Sequence, residues 1–328
     1  LGRGRKGVFV SEAGIAHPEN RQHLREELVD AEVLGRTPDG KQILLFDHRP
    51  DSAVMREIGR LREIAFRRVG EGTGKKRDMD EYDEHYRHLV LWDDRDLEIA
   101  GAYRLGEVGR ILDGQGIEGL YSATIFHLDQ APMDRWRHGL ELGRSFVQPR
   151  YWGRRSLDYL WHGLGAYLRH HPEVRWLFGP VTIPNHLPPL AKDLLVSYYR
   201  HYYGDGDSPI RAKAVCTMSR AGREEADRLF AGNDAGEDFQ RLKGALQAMG
   251  AGVPALYKQY VEVAEPGGVS FKAFGVDTTF GYCIDGLVVV DVARLKADKR
   301  RRYIGEDAVT AGKDADTMGE DAVALGPL

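Results

Sequence analysis

The chain is 328 residues long, room for one large or two modest domains, and its 42% hydrophobic and 29% charged residues are ordinary for a soluble globular protein with a sizeable core. Lys and Arg number 46 against 50 Asp and Glu, a net charge of −4 that argues against a polyanion binder, so no nucleic-acid partner is expected. Cys216 and Cys283 have neither a CxxC spacing nor a histidine at ligand spacing, no apolar run nears the roughly 18 residues of a spanning helix, and no charged-then-apolar signal opens the chain. A metal-free protein of the reducing cytoplasm, peripheral to a membrane at most, is the expectation.

The sequence begins at Leu1 with LGRGRKG, as the downstream part of a longer protein would. Residues 1–50 read as an N-terminal extension or linker: GVFV and QILLF are extended pieces around a polar helical stretch from about Asn20 to Val33, with TPDGK as a turn. From Ser52 the residues Val54, Ile58, Leu61, Ala65 and Val69 mark one face of a helix that stops in GEGTG at 70–74. RHLVLW, DDRD and LEIAGAYRL read as a hairpin, and YSATIF as a strand piece or loop. A strand at about 141–148 leads into a helix at about 155–169 with Leu157, Leu160, Trp161, Leu164 and Leu168 as its stripe. VRWLFGPVTI is the next strand, LPPLAKDLLVSYYRHYYGD and EDFQRLKGALQAMGAG are helices, and DGLVVVDVARL is a late buried strand. The order gives a mixed α/β fold with one central sheet over 51–305. The segment 306–328, acidic and poor in large apolar residues, is expected to be disordered.

The strand-to-helix turn within ELGRSFVQPRYWGRRSLDYLWHGLGAYL collects Arg150, Gly153, Arg154 and Arg155. Unpaired N–H groups and partial positive charge make a helix start a natural phosphate seat, and a glycine lets the backbone come close. The alternative is an arginine-rich helix start without a ligand.

LREIAFRRVG (61–70), DMDEYDEHYRHLVLW (78–92), IAGAYRL (99–105) and ELGRSFVQPRYWG (141–153), taken in this order and spacing, resemble the hemolysin-like branch of the GNAT N-acyltransferase superfamily over about residues 52–300. The branch includes ornithine-lipid N-acyltransferases, which move a 3-hydroxyacyl chain from acyl carrier protein to an amino acid's α-amine, and is similar to acyl-homoserine-lactone synthases. The resemblance implies a GNAT-like mixed sheet flanked by helices. It carries a functional pattern onto Arg62 and Phe66, Asp80 and Asp83, Arg104, Glu141 and Arg144. The loop from Gln148 to Gly153 has one glycine where the common GNAT loop has two, and it adds arginines. That departure favours acyl-phosphopantetheine on an acidic carrier protein over free acyl-CoA as donor, with Arg150, Gly153, Arg154 and Arg155 as its contacts and no cofactor bound permanently. The chain also looks like the GNAT half of two-domain proteins with a glycerol-phosphate-type acyltransferase upstream.

N-acylation needs a neutral amine, a polarised acyl carbonyl and a protonated leaving thiolate. Glu141 and Asp83 are candidates to bind and deprotonate the amine; each is otherwise a structural partner of Arg144 or Arg104. In a regular strand Glu141 and Arg144 face opposite sides, so a bulge is required if both are to line one cleft. His88 is a candidate base or a satisfied structural histidine. Tyr198, Tyr199, Tyr202 and Tyr203 offer a thiolate acid or an aromatic packing stripe. An N–H near Phe146 or Val147, freed by such a bulge, would hold the oxyanion. The basic KADKRRR at 296–302 would dock on the anionic inner-membrane surface, where an amphipathic product is released, or is an exposed helix face. The three readings are an N-acyltransferase making a lyso-aminolipid, a homoserine-lactone-type signal synthase, and a non-catalytic lipid or carrier-protein binder.

Overall fold

Strands in the first half of the chain are apolar on both faces, and each face has its own helix. The computed structural model describes residues 13–153, 156–232 and 234–305. GVFV and the tail at 306–328 lie outside them. In chain order the elements begin with α1 (Arg21–Leu28), β1 (Glu32–Arg36), β2 (Gln42–Asp47), α2 (Ala53–Arg68), β3 (Arg87–Asp93) and β4 (Glu98–Glu107). Then come α3 (Val108–Gly114), α4 (Ser122–Ile125), β5 (Phe126–His127), α5 (Gln130–Arg135), β6 (Gly139–Val147), α6 (Ser156–His170), β7 (Trp176–Ile183) and α7 (Pro189–Tyr203). The last are β8 (Arg211–Ala212), α8 (Arg220–Leu229), α9 (Ala235–Ala248), α10 (Ala255–Glu262), β9 (Val269–Asp277), β10 (Cys283–Asp291) and α11 (Ala297–Tyr303).

Eight strands form one sheet in the order β1-β2-β3-β4-β6-β7-β10-β9. All neighbours are antiparallel except β6 and β7, which run parallel. Leu44, Phe46, Val90 and Trp92 turn to α2, where Ser52 caps the start by accepting from the Met55 N–H and Val54, Ile58, Leu61 and Ala65 are buried. Ile43, Leu45, Leu89 and Leu91 turn to α6 and its Leu160, Trp161, Leu164 and Leu168. Coverage on both faces explains why these strands read as apolar runs with no alternation.

The expected hairpin, helices and late strand are present. The expected boundary at residue 50 does not divide the sheet: β2 pairs with β3 from Gln42↔Trp92 to Asp47↔Arg87, so the segment before residue 51 supplies two of the sheet's strands. The helix expected to run to Val33 ends at Leu28 because Glu32–Arg36 pairs with β2 at the sheet edge. YSATIF becomes the single turn of α4 followed by β5. Strand β9 and helices α8 and α10 carry no signal used above; KADKRRR, with a helix face as one of its two readings, is largely α11.

Strands β6 and β7 pair only at Gly139↔Trp176, Leu140↔Leu177 and Glu141↔Phe178, then part. Gly179 makes the close approach before the parting, since a side chain there would meet the Leu142 carbonyl oxygen at 2.1 Å. The wedge between the strands is the entrance to the candidate site.

Candidate active site

A β-bulge aims the first functional side chain. Gly143 pairs with Arg104 and Phe146 with Ala102, so β6 carries one residue more than β4 between these points. Arg144 takes up the extra residue in the left-handed region, φ +50°, a conformation that costs on the order of 1–3 kcal/mol and must be held by its surroundings. The bulge required for Glu141 and Arg144 is therefore present, yet it delivers only Arg144 to the cavity.

The cavity fills the wedge and has a volume of about 670 Å³, within the range of small-molecule sites. Phe66, Val147, Leu160, Leu187, Leu256 and Tyr260 give it apolar walls. Helix α10, begun at Pro254, contributes Leu256 and Tyr260; the Tyr260 hydroxyl lies 3.0 Å from that of Tyr103. Trp152, 45% exposed, lines it too and donates its indole N–H to the Val147 carbonyl at 2.7 Å. Because the Gln148 N–H donates to Ala100 on β4, strand alternation turns the Val147 N–H away from β4 and into the wedge. Of the two residues expected near the donor, Val147 is thus the one whose N–H points to the wedge.

The polar end of the cavity is built by Arg144, Tyr121, Glu71, Asp277 and Asp285. The Arg144 guanidinium sits 4.6 Å from the Tyr121 ring and 4.7 Å from that of Phe280, and pairs with Asp78 at 3.0 Å and Asp80 at 3.2 Å. Asp277 accepts from the Tyr121 hydroxyl at 2.7 Å and from the Thr279 and Phe280 N–H groups, which fixes the turn after β9. Asp285 lies in the middle of β10, every residue of which is buried. Its Oδ1 has no hydrogen-bond partner. Burial, with the Asp277 carboxylate nearby, pushes Asp285 up to about 7 against the pull of Thr182 and Arg144. Burial and then the Asp285 charge push Glu71 up to about 8, against Arg144.

Glu71 is held by the helix before it. Buried Glu63 accepts from the backbone N–H of Thr73 and Gly74 and from the Thr73 hydroxyl, and the Glu71 N–H donates to Phe66. Gly70, Gly72 and Gly74 have φ of +73°, +108° and +73°, values L side chains resist.

The other expected side chains stand behind this wall and do not line the cavity. Asp83 pairs with Arg62 at 2.7 Å and Arg104 at 3.3 Å, and Arg104 also pairs with Asp80. Burial alone would raise Asp83, but Arg62 and Arg104 hold it well below the carboxylate range, which leaves it a poor proton acceptor. Burial pushes His88 down to about 4 against the pull of Asp83; its Nε2 lies 3.0 Å from the Asp83 carbonyl oxygen and its Nδ1 3.4 Å from Arg62. It is a satisfied neutral imidazole. Glu141, 1% exposed, accepts from the N–H groups of Tyr121 (3.1 Å) and Ser122 (2.6 Å) and from the Tyr86 hydroxyl. The geometry gives it the task of fixing the Tyr121 turn. Tyr198 and Tyr199 are buried in a cluster with Phe230, Phe239 and Tyr257, the packing stripe of the two alternatives. Arg150 is taken by Asp96 at 2.6 Å and Glu98 at 2.7 Å beside the hairpin, and neither it nor Gly153 lines the cavity. Arg154 and Arg155 lie outside the described residues. Of the expected set, Phe66, Arg144, Phe146 and Val147 line the cavity.

Glu71, Asp277 and Asp285 were not among the expected residues. A carboxylate inside the apolar run CIDGLVVV was the available signal for Asp285. No group of His, Cys, Asp and Glu among the described residues has the arrangement of a metal site.

A mixed sheet whose central parallel strands part around a cavity, with a bulge just beyond the parting, defines a GNAT-type acyltransferase. The chain matches the acetyltransferase (GNAT) domain family over residues 61–162. It is 32% identical over 306 residues to the glycine N(alpha)-acyltransferase of Bacteroides thetaiotaomicron, across 88% of this chain and 89% of that protein. It is 30% identical to the glycine N(alpha)-acyltransferase of Phocaeicola vulgatus, across 88% and 92%. The L-ornithine N(alpha)-acyltransferase of Rhodobacter capsulatus is 28% identical across 77% and 92%. The chain belongs to this family of GNAT-domain N(alpha)-acyltransferases and is an acyltransferase. A solved CoA-dependent acyl-homoserine lactone synthase shares 11% identity and a TM-score of 0.32 across 70% of this chain and 75% of the other, a likeness too slight to bear on function.

Proposed function

We propose that the protein transfers a long acyl chain, 3-hydroxylated in the simplest case, from acyl carrier protein to the α-amine of glycine, giving an N-acyl amino acid of the lyso-lipid type. The observation that carries this reading is the single cavity that is apolar along α10 and acidic at Glu71, Asp277 and Asp285. The acyl chain lies along Leu160, Leu187 and Leu256, the thioester carbonyl oxygen meets the Val147 N–H, and Arg144 receives the amino acid's carboxylate. Glycine is favoured by the relatives of that name, which extend over nearly the whole chain. Ornithine is the second reading, since three carboxylates at one end of the cavity exceed what one ammonium needs.

The carrier-protein donor is supported by Arg68, exposed on the cavity rim at the end of α2, where an acidic partner or its phosphate can reach it. Helix α11, with Arg300, Arg301 and Arg302 in its last turn, is the contact proposed for the inner membrane surface from the cytoplasmic side. No helix among the described residues is long and apolar enough to cross a membrane. Mass spectrometry of lipids from a host expressing the chain should reveal N-acylglycine, or N-acylornithine under the second reading. The purified protein should make the same product faster from the carrier-protein thioester than from acyl-CoA. A homoserine-lactone product, or no new lipid and no turnover, would refute acyl transfer to an amino acid.

A further inference from the structure

We infer that Asp285 and Glu71 form the amine pocket, with Asp285 accepting the proton of the substrate's α-ammonium. The inference rests on the acyl-transfer reading and adds to it the residue that makes the amine nucleophilic. Asp285 is 2% exposed, lines the cavity, and leaves Oδ1 without a partner, although its neighbours on β10 and β7 are otherwise matched in register. A buried carboxylate with an oxygen left without a partner, on a residue that lines a cavity, calls for a donor brought by the ligand. Glu71 faces the same space from a turn that Glu63 and three glycines hold in place.

The charged and titratable groups around the pair are Asp277 at the end of β9, Arg144 on β6, Tyr121 before α4, Tyr257 on α10, Cys283 on β10 and His186 after β7, which lines the cavity beside Gly70. Burial lifts both carboxyls towards neutrality, to about 7 for Asp285 and about 8 for Glu71. The two carboxyls are coupled, so the charge of the one that ionises first keeps the other protonated. One negative charge and one neutral acid then face the incoming ammonium, a base poised near the working pH.

The step balances without a redox partner. The ammonium gives one proton to the Asp285 carboxylate, the amine nitrogen attacks the thioester carbon, and the C–N bond forms. As the C–S bond breaks, a second nitrogen proton passes to sulfur, so amide and thiol leave and the proton on Asp285 returns to solvent.

The test uses the full-length enzyme with glycine and a 3-hydroxyacyl carrier-protein thioester. Asp285→Asn should lower kcat by roughly 10² to 10⁴ and abolish the acid limb of the kcat profile near pH 7. It removes a buried charge and keeps an oxygen for Thr182, so its melting temperature should not fall. Glu71→Gln imitates the protonated acid; it should keep the acid limb and lose only the step near pH 8. Amine binding is read apart from turnover by calorimetric titration with glycine, which should be at least tenfold weaker for Asp285→Asn. A folded Asp285→Asn enzyme with wild-type kcat and an intact acid limb would overturn the pocket and leave acyl transfer standing. Tight, Asp285-dependent glycine binding by a wild type that acylates nothing would support the pocket and overturn acyl transfer.

Discussion

Glu141 and Asp285 are both buried carboxylates on central strands, and their partners separate their roles. Glu141 has two backbone N–H donors and a tyrosine hydroxyl; Asp285 lines the cavity and has an oxygen without a partner. Glu141→Gln preserves shape but turns an amide N–H₂ towards the backbone donors of Tyr121 or Ser122. Leaving such a donor unpaired costs about 1–3 kcal/mol, so the melting temperature should drop by several degrees while kcat of the folded fraction falls less than tenfold. A hundredfold loss at an unchanged melting temperature would return Glu141 to the chemistry. The motif residues were legible as a set, but a motif does not say which of its members face the ligand. Arg62, Asp80, Asp83 and Arg104 neutralise one another behind the wall, and only Arg144, turned by the bulge, emerges from it.

At the scale of elements, α2 and the glycine turn that ends it act as one device. Its apolar face fixes the helix on the sheet, buried Glu63 anchors residues 73 and 74, and Glu71 is thereby held at the cavity while Arg68 stands on its rim. Gly70→Ala would place a Cβ 2.2 Å from His186 Nδ1 on a backbone at φ +73°. The left-handed conformation alone costs roughly 1–2 kcal/mol. The variant should fold, melt a few degrees lower, and lose at least tenfold in kcat as Glu71 is displaced; unchanged kinetics would show that the turn does not position the site. Arg68→Ala should raise KM for the carrier-protein thioester at low salt and much less at high salt, as a screened rim charge requires, with KM for glycine unmoved. Glycines at 70, 72 and 74 were legible as a helix stop, because three of them in five residues oppose helix. Their second use, presenting Glu71, depends on Glu63 and on the sheet beneath.

Over the whole molecule, three carboxyls raised by burial, Asp285, Glu71 and Asp78, impose a definite pH dependence on stability. All three bind more protons folded than unfolded from about pH 4, where unfolded carboxyls ionise, and for Asp285 and Glu71 the window extends up to about 7 and about 8. Stability should therefore fall as pH rises through this window and level off above it, by a few kcal/mol. Denaturant midpoints measured from pH 5 to 9 should show that decline, and the double variant Asp285→Asn with Glu71→Gln should make it shallower; a slope the double variant leaves unchanged would place the linkage elsewhere. Asp83 acts in a different window, since its lowered pKa is felt only as pH falls below the usual carboxylate range. The sequence by itself determined the α/β class, the hairpin, the two covering helices and the acyltransferase motif, because periodicity, glycine stops and spacing are local properties that survive without tertiary contacts. It placed the end of an N-terminal extension at residue 50, where the tertiary structure continues the sheet across it, and it offered Glu141 as a catalytic carboxylate, which the tertiary structure sets behind the cavity wall. Pairing of β2 with β3, the parting of β6 from β7, and the meeting of Glu71 with Asp285 join residues far apart in the chain. Burial, charge and the bare Oδ1 of Asp285 arise from that meeting, and no stretch of sequence contains it.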